Sequence, residues 1–288
     1  MTRANTNWPN FILSADGTSI AWESHGDGFP VVFTNGLATS HSYWALLRAD
    51  LHDYRTILWD LKGHGRSGPA KNLDRCSIPD AADDLRRVMD AAGIDRAVLA
   101  GFSLGCQIIL EAWRLMPDRI AGLVPALGTY GRPFDTLLHP TVGRAAFRAF
   151  QAAAPFAQHT MEFAYHSMRT PWAHAVNQAT GMVGRDLDRR LMEPFYAHFA
   201  DVDGASWAQM GIFAQQHTTW DVLPTISVPT LIIAGGKDAL TPAHLSREMH
   251  DRIPGSKLLF LPKATHAGLL EYPVEINREV RTFLRRLT

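Results

Sequence analysis

The sequence lacks several features that mark specialised classes of protein. Only two of its 288 residues are cysteine, and neither Cys76 nor Cys106 has the spacing of metal ligands, so we expect reduced thiols in a cytoplasmic protein. No uninterrupted apolar stretch approaches the ~20 residues of a transmembrane helix, which predicts that the chain has no membrane span. Residues 1–10 are polar and lack the apolar core of a signal peptide, so we expect none.

An excess of charge of one sign is also absent. The 28 basic residues balance 28 acidic ones and no polybasic segment occurs, which argues against nucleic acid or an anionic membrane as the main partner. With 46% hydrophobic residues the composition is that of an ordinary globular protein, long enough to bury a sizeable core. No internal repeat or low-complexity tract is present, and the sequence leaves a homodimer open.

Short apolar runs alternate with amphipathic stretches in the first 130 residues and again after residue 220. The runs are nearly continuous, as in strands that are buried on both faces. Helical patterns such as Pro79–Ala92, whose apolar residues share one face, lie between them. The sequence therefore predicts an α/β fold with a mostly parallel eight-stranded sheet flanked by helices. The predicted strands are Phe11–Ser14, Thr18–Trp22, Val31–Thr34, Arg55–Trp59, Ala97–Ala100, Ile120–Ala126, Thr230–Ala234 and Lys257–Leu261.

The alternation stops between about residues 131 and 220. Helical patterns rich in Ala, Phe, Met, Trp and His take its place, such as Arg144–Ala154, Thr160–Met168 and Asp186–Phe199. We therefore expect a core domain of residues 1–130 and 221–288, with a helical cap (lid) of residues 131–220 inserted after the sixth strand. The aromatic and methionine residues of this cap favour a roomy apolar pocket, and equally the packing of helices against one another.

The pentapeptide Gly101-Phe102-Ser103-Leu104-Gly105 links an apolar run to a helical pattern. A G-x-S-x-G sequence in that position is typical of a nucleophile elbow, a turn so sharp that the serine takes a strained backbone conformation. The two glycines leave room for the strand and the helix to approach each other. The turn exposes the Ser103 hydroxyl and directs the Leu104 N–H, at a helix N-terminus, towards an oxyanion. A glycine-rich structural turn is the alternative interpretation.

Two residues that follow later strands fit as partners of Ser103. A serine hydroxyl is a weak nucleophile until a base takes its proton, and the base needs an acid that fixes its tautomer. His266 follows the last predicted strand through Pro262–Thr265 and fits the base. Asp238 follows the preceding strand through Gly235–Lys237 and fits the acid, although a turn-shaping role is the alternative. The competing carboxylates are Asp201, Asp203 and Asp221.

An oxyanion hole needs a second backbone N–H besides that of Leu104. Asn35-Gly36-Leu37 directly follows the predicted strand Val31–Thr34, and Gly36 permits a backbone turn that exposes the Leu37 N–H. We therefore expect the N–H groups of Leu37 and Leu104 to form the hole. An ordinary turn at the strand end is the alternative, since Asn-Gly pairs favour turns generally.

The elbow, Asp60-Leu61-Lys62-Gly63-His64-Gly65-Arg66-Ser67, the segment Pro229–Asp238 and Pro262–His266 together resemble the α/β-hydrolase superfamily. The resemblance covers essentially the whole chain outside the cap. The sequence closely resembles the branch with small lid-bearing esterases, enol-lactonases, cofactor-free haloperoxidases and carbon–carbon bond hydrolases. The resemblance implies that residues 60–67 are a structural loop and that His64 is not catalytic. Haloalkane dehalogenases and epoxide hydrolases carry aspartate at the elbow, so Ser103 argues against their chemistry.

The residues and the resemblance together predict a serine hydrolase. Ser103 is the expected nucleophile, His266 the base and Asp238 the acid, acting through an acyl-enzyme on a small to medium apolar carboxylic ester or lactone. No metal or organic cofactor is implied. Two alternatives stay open: a carbon–carbon bond hydrolase of diketone-type ring-cleavage products that uses the same triad, and a non-catalytic receptor for a small apolar ligand.

Overall fold

One eight-stranded sheet organises the chain. The computed structural model describes residues 10–136 and 140–287, and residues 1–9, on which the expected absence of a signal peptide rests, lie outside the described residues. The strands are β1 Asn10–Leu13, β2 Ser19–His25, β3 Pro30–Thr34, β4 Arg55–Trp59, β5 Ala97–Phe102, β6 Ile120–Ala126, β7 Leu231–Gly235 and β8 Lys257–Leu261.

The strand order is β1-β2-β4-β3-β5-β6-β7-β8. Strand β2 pairs antiparallel with β1 and with β4, whereas the six strands from β3 to β8 run parallel. The predicted mostly parallel eight-stranded sheet is therefore confirmed. The connections that leave β3 and β5 turn towards opposite edges of the sheet. A crevice opens at the carboxyl ends of two such neighbouring strands, and ligands bind there in open α/β sheets.

Helices flank the sheet and fill the segment between β6 and β7. Within that segment, α6 and α8 have no counterpart among the patterns recognised in the sequence. The bounds of all the described helices are α1 Ala45–Asp50, α2 Ile78–Ala91, α3 Leu104–Leu115, α4 Pro140–Ala153, α5 Ala157–Met168, α6 Pro171–Ala179, α7 Arg189–His198, α8 Gly204–Gln216, α9 Ala243–Arg252, α10 Gly268–Glu271 and α11 Pro273–Leu284.

Local signals set the ends of α2. Ser77 accepts a hydrogen bond from the backbone N–H of Asp80, whose side chain in turn accepts from the Ser77 N–H, so two free backbone donors are satisfied at the start of the helix. Gly93 follows the last turn with φ +63°, the left-handed conformation that commonly ends a helix. The sequence therefore bounds this helix closely at both ends.

Buried apolar side chains form one cluster on each face of the sheet. One cluster joins α2 and α3, together with Met210 and Ala214 of α8. The other joins α1 and α11, together with Met192 and Tyr196 of α7. Alternate residues of β3 point to opposite faces, so Val32 belongs to the first cluster and Val31 to the second. Helices from the segment between β6 and β7 thus complete both halves of the core.

The segment between β6 and β7 is bonded to core loops on both sides of the sheet's carboxyl edge. On one side Val202 forms a bridge with His64, and the Asp203 N–H donates to the Gly63 carbonyl at 2.7 Å. On the other side the Thr265 hydroxyl donates to the Met182 carbonyl at 3.2 Å. Among the described residues, no helix is long and apolar enough to cross a bilayer.

Candidate active site

The turn between β5 and α3 holds Ser103 in a strained backbone conformation, with φ 54° and ψ −117°. Positive φ is costly for a residue with a Cβ, so close packing must maintain it. A Cβ on Gly101 would lie 2.4 Å from the carbonyl oxygen of Gly105, and one on Gly105 would lie 2.5 Å from that of Thr34. Both glycines are therefore required by the close approach of strand and helix, as the sequence motif predicts.

The loop after β3 lies directly against the elbow. A Cβ on Gly36 would come within 2.8 Å of the Ser103 Cβ, so only glycine fits here. The sequence interpretation has Gly36 permit a turn, and a turn does begin there, because the Gly36 carbonyl accepts from the Thr39 N–H at 3.3 Å, but Gly36 itself has no positive φ. The positive φ of this loop falls on Ala38, with φ 55°. Gly36 provides space beside the nucleophile, whereas the left-handed turn is taken two residues later.

His266 lies between Ser103 and Asp238. Its Nε2 is 3.1 Å from the Ser103 Oγ and its Nδ1 is 2.8 Å from an Asp238 Oδ2. The ring of His266 packs against the ring of Phe102, with centroids 5.0 Å apart. His266 and Asp238 are each 5% exposed, whereas Ser103 is partly open to solvent. A continuous chain of hydrogen bonds thus connects a buried carboxylate to an accessible hydroxyl.

Asp238 is held by the loop that follows it as well as by His266. Its Oδ1 accepts from the N–H groups of Leu240 and Thr241, each at 2.9 Å, and its Oδ2 accepts from the Thr241 hydroxyl at 2.7 Å. Burial raises the pKa of Asp238, but the charge and hydrogen bond of His266 and the hydrogen bonds of Thr241 outweigh burial, so the pKa lies below its ordinary value. An ionised carboxylate only accepts, so in the neutral form of His266 the proton is on Nδ1 and the Nε2 lone pair faces Ser103.

The three competing carboxylates lie elsewhere. Asp221 accepts two hydrogen bonds from the Arg114 guanidinium, at 2.8 and 3.0 Å. Asp203 caps helix α8 by accepting from the Ser206 N–H at 2.8 Å. Asp201 ends a short 3-10 helix in the segment between β6 and β7. Among the described carboxylates, Asp238 is the one that hydrogen-bonds His266.

Two backbone N–H groups near Ser103 have no acceptor among the residues that the structure describes. Within residues 10–136 and 140–287, neither the Leu37 N–H nor the Leu104 N–H donates a hydrogen bond. Leu104 is the first residue of α3, where helical N–H groups have no partner in the helix and the helix dipole favours negative charge. Both groups are free to bind an oxygen of a ligand.

An aromatic cluster borders the Leu37 side of this crevice. A Cβ on Gly211 of α8 would lie 2.8 Å from the Phe150 ring and 3.4 Å from a Leu37 methyl carbon, so Gly211 packs against both. Phe150 packs against Trp207 and Phe134, with ring centroids 5.1 and 5.3 Å apart. Sequence analysis did not identify Phe134, which belongs to this cluster, or Thr241, which bonds Asp238. Each residue is recognised only by its neighbours in the folded structure.

No metal site accompanies these residues: in the part of the chain that the structure describes, no group of three or more His, Cys, Asp or Glu side chains could hold an ion. Cys76 and Cys106 are both free and buried. The Cys106 thiol donates to the Gly101 carbonyl at 3.2 Å, and burial raises its pKa, so it is an inert packing group of the elbow.

Comparison with known proteins places the chain in a family. The family described as alpha/beta hydrolase fold matches residues 30–273. A protein of Variovorax paradoxus that carries the provisional name carbamate hydrolase RutD is 30% identical over 282 residues, which cover 93% of this chain and 96% of that protein.

Solved structures are similar over nearly the whole chain. The esterase EaEST from Exiguobacterium antarcticum has a TM-score of 0.80 at 21% identity and covers 96% of this chain and 100% of that one. Est816, described as an N-acyl homoserine lactone degrading enzyme, has a TM-score of 0.72 at 26% identity, with 95% and 100% covered. The chain therefore belongs to the α/β-hydrolase family and is an enzyme of the hydrolase type.

Proposed function

We propose that this protein is a serine hydrolase that cleaves a small to medium apolar carboxylic ester or lactone. The observation that carries the proposal is the chain of hydrogen bonds from Asp238 through His266 to Ser103, with contacts of 2.8 and 3.1 Å. Such a chain supports nucleophilic attack because the base can take the hydroxyl proton while the carboxylate stabilises the resulting imidazolium. The strained backbone of Ser103 presents its hydroxyl at the carboxyl edge of the sheet.

The reaction proceeds in two halves. His266 Nε2 takes the proton of Ser103 as its Oγ attacks the substrate carbonyl, and the developing oxyanion accepts hydrogen bonds from the Leu37 and Leu104 N–H groups. The tetrahedral intermediate collapses, the alcohol leaves with the proton from His266, and an acyl-enzyme remains. Water, deprotonated by His266, then attacks the ester carbon, and collapse returns the proton to the Ser103 oxygen.

The apolar preference is supported by the aromatic cluster beside Leu37, which would line the substrate's side of the crevice. We assign residues 131–220 as the cap and residues 1–130 and 221–288 as the core. Contacts at His64 and at Thr265 hold this cap over the carboxyl edge, where it limits the size of the substrate. The esterase and lactone-degrading enzyme of similar fold are consistent with an ester or lactone carbonyl.

A carbamate is the second candidate substrate. The relative of 30% identity over nearly the whole of both chains bears the name of a carbamate hydrolase. A carbamate also presents a carbonyl to Ser103: loss of the alcohol leaves a carbamoyl-enzyme, and attack of water releases a carbamic acid that breaks down to CO2 and an amine or ammonia. The two candidates differ in the acyl group that Ser103 carries, not in the nucleophile.

The test is a substrate panel combined with covalent labelling. We expect the wild type to hydrolyse members of a series of nitrophenyl esters and lactones, and a fluorophosphonate to label Ser103 in the folded protein. Ser103→Ala should lower turnover by roughly 10⁴-fold or more. Ser256→Ala is the matched control, because Ser256 precedes β8 at the opposite end of the sheet and its hydroxyl, among the described residues, bonds His250 alone.

Four results would contradict the ester proposal. Faster turnover of a carbamate series would favour the second candidate, and fast cleavage of vinylogous diketones with slow ester turnover would favour a carbon–carbon hydrolase. Binding of apolar ligands without turnover of any panel member would favour a non-catalytic receptor. Full activity of Ser103→Ala would show that Ser103 is not the nucleophile.

A further inference from the structure

The segment Gly36–Ala38, which carries the proposed oxyanion donor Leu37, is held from one side by Thr39. The Thr39 hydroxyl and N–H both donate to the Gly36 carbonyl, at 2.9 and 3.3 Å. This carbonyl and the Leu37 N–H belong to the same peptide unit. Because that unit is planar and trans, its C=O and N–H point in opposite directions. The two bonds from Thr39 therefore fix the direction of the Leu37 N–H, which points away from Thr39.

The same segment is held from the other side by His64. The Ala38 N–H donates to the His64 Nε2 at 3.0 Å, and the His64 Nδ1 is 2.8 Å from the Lys62 carbonyl. A carbonyl only accepts, so Nδ1 carries the proton and Nε2 offers its lone pair to Ala38. Burial lowers the pKa of His64, which favours this neutral form. The bond holds Ala38 at φ 55°, a conformation that costs energy for any residue with a Cβ.

His64 also contacts the segment between β6 and β7. Its ring stacks on that of His198, with centroids 6.2 Å apart and planes at 30°. The Gly63 carbonyl accepts from the Asp203 N–H, and His64 itself forms a bridge with Val202. The loop that supports the donor segment is thus packed against the cap, and both His64 and Thr39 are buried, at 1% and 7% exposure.

We propose that Thr39 and His64 are positioning residues, which orient the Leu37 N–H for the transition state without touching the substrate. This inference rests on the proposed function. Removal of one oxyanion donor typically costs about 10² to 10³ in kcat, and a misdirected donor loses part of that. We expect a fall in kcat of roughly ten-fold or more with little change in KM, because the ground-state carbonyl uses the donor far less than the oxyanion does.

Thr39→Val against Thr39→Ser is the deciding pair. Valine matches the shape of threonine but lacks the hydroxyl, whereas serine keeps it. With p-nitrophenyl butyrate as the probe, Thr39→Val should lose kcat at nearly constant KM, and Thr39→Ser should lose clearly less. Phenylboronic acid, whose tetrahedral adduct on Ser103 places an oxygen in the hole, should bind Thr39→Val more weakly by a similar factor.

Thr230→Val is the matched control. Thr230 is 2% exposed and its hydroxyl donates to the Val228 carbonyl at 3.1 Å, but it lies at the amino end of β7, far from the hole. The variant Thr230→Val should lower the melting temperature about as much as Thr39→Val does, with kcat unchanged. An equal loss of kcat in the control would mean that general destabilisation, and not positioning, explains the result.

His64→Phe and His64→Gln give a second comparison. Phenylalanine keeps a ring against His198 but offers Ala38 no acceptor, and glutamine can offer its Oε1, so Gln should recover part of the kcat lost in Phe. If His64→Phe does not fold, the Thr39 pair decides alone. Thr39→Val with wild-type kcat and boronate affinity would overturn the inference. A wild type that hydrolyses no ester and takes no fluorophosphonate at Ser103 would instead overturn the proposed function, so the two failures are distinguishable.

Discussion

Asp238 has two roles at the candidate site. Asp238 accepts from the backbone and hydroxyl of its own loop and from His266, so the same carboxylate shapes the turn and faces the imidazole. The two sequence interpretations of Asp238, acid and turn former, are therefore compatible. The role as acid requires the charge, whereas the amide oxygen of an asparagine can still accept hydrogen bonds from the backbone of the loop.

Asp238→Asn is the residue-scale prediction. We expect kcat to fall by roughly 10⁴-fold, since the amide neither stabilises an imidazolium nor enforces the Nδ1–H tautomer. Stability should change with pH in a defined direction. The folded pKa of Asp238 is depressed, so its contribution is present above the unfolded value of about 3.9 and is lost as pH falls through the folded pKa. Urea unfolding should show the difference between wild type and Asp238→Asn shrinking below about pH 4. A difference in the free energy of unfolding that stays constant with pH would contradict a stabilising role of the ionised carboxylate.

Elements meet at the elbow with almost no spare volume. Helix α3 approaches β3 so closely that Gly105 packs against the Thr34 and Asn35 carbonyls. Gly128, after β6, packs against Cys106 and the Ser103 carbonyl. Backbone atoms of a parallel sheet cannot shift cheaply, in contrast to the end of a flexible side chain. The geometry of Ser103 is therefore a property of three packed elements, not of one loop.

Gly105→Ala is the element-scale prediction. The added Cβ would lie 2.5 Å from the Thr34 oxygen, so strand and helix must separate, at a cost of about 1–3 kcal/mol in the free energy of unfolding. The kcat should fall as well, because Ser103 moves relative to His266. Gly68→Ala is the control, since its Cβ would meet only atoms at 3.8 Å or more. Equal behaviour of the two variants in urea unfolding and kinetics would refute the packing argument.

At the scale of the whole molecule, the segment between β6 and β7 leaves and rejoins the core at one place. Gly131 forms a bridge with Thr218, and His217 contacts Gln107 and Glu111 of the elbow helix α3, at 3.2 and 3.1 Å. Burial raises the pKa of Glu111, but its interactions with His217 and Arg114 outweigh burial and hold the pKa below its ordinary value. The helix behind Ser103 therefore also anchors the returning end of the segment.

Glu111→Gln is the prediction at this scale. The charged partner of His217 is lost, and we expect the free energy of unfolding to fall by about 1–3 kcal/mol at neutral pH. The depressed folded pKa means that this contribution is present above about pH 4.3 and is lost as pH falls through the folded pKa. The variant and wild type should therefore converge in acid, as measured by urea unfolding from pH 7 to 3. Glu162→Gln, at an exposed position on α5, should change little at either pH.

Much of the fold is predictable from the sequence because its signals are local. The eight strands follow from apolar runs, and α2 from its capping residues and Gly93. Helix α8 is not predicted, and the reason is physical. Helix α8 has glycine at both Gly204 and Gly211, and it is buried on several sides, so it shows no single apolar stripe. Its environment, between the core and neighbouring helices, exists only after the chain has folded.

The sequence by itself determined where the elbow lies, since Gly101, Ser103 and Gly105 stand between an apolar run and a helical pattern. Tertiary structure alone decided that His266 lies between Ser103 and Asp238, that the left-handed turn falls on Ala38 and not Gly36, and that Thr39 and His64 hold the segment between them. The reason is how far apart in the sequence the interacting residues are. Backbone conformation depends on neighbours within a few residues, whereas a contact between positions 103 and 266 depends on how every strand between them is packed.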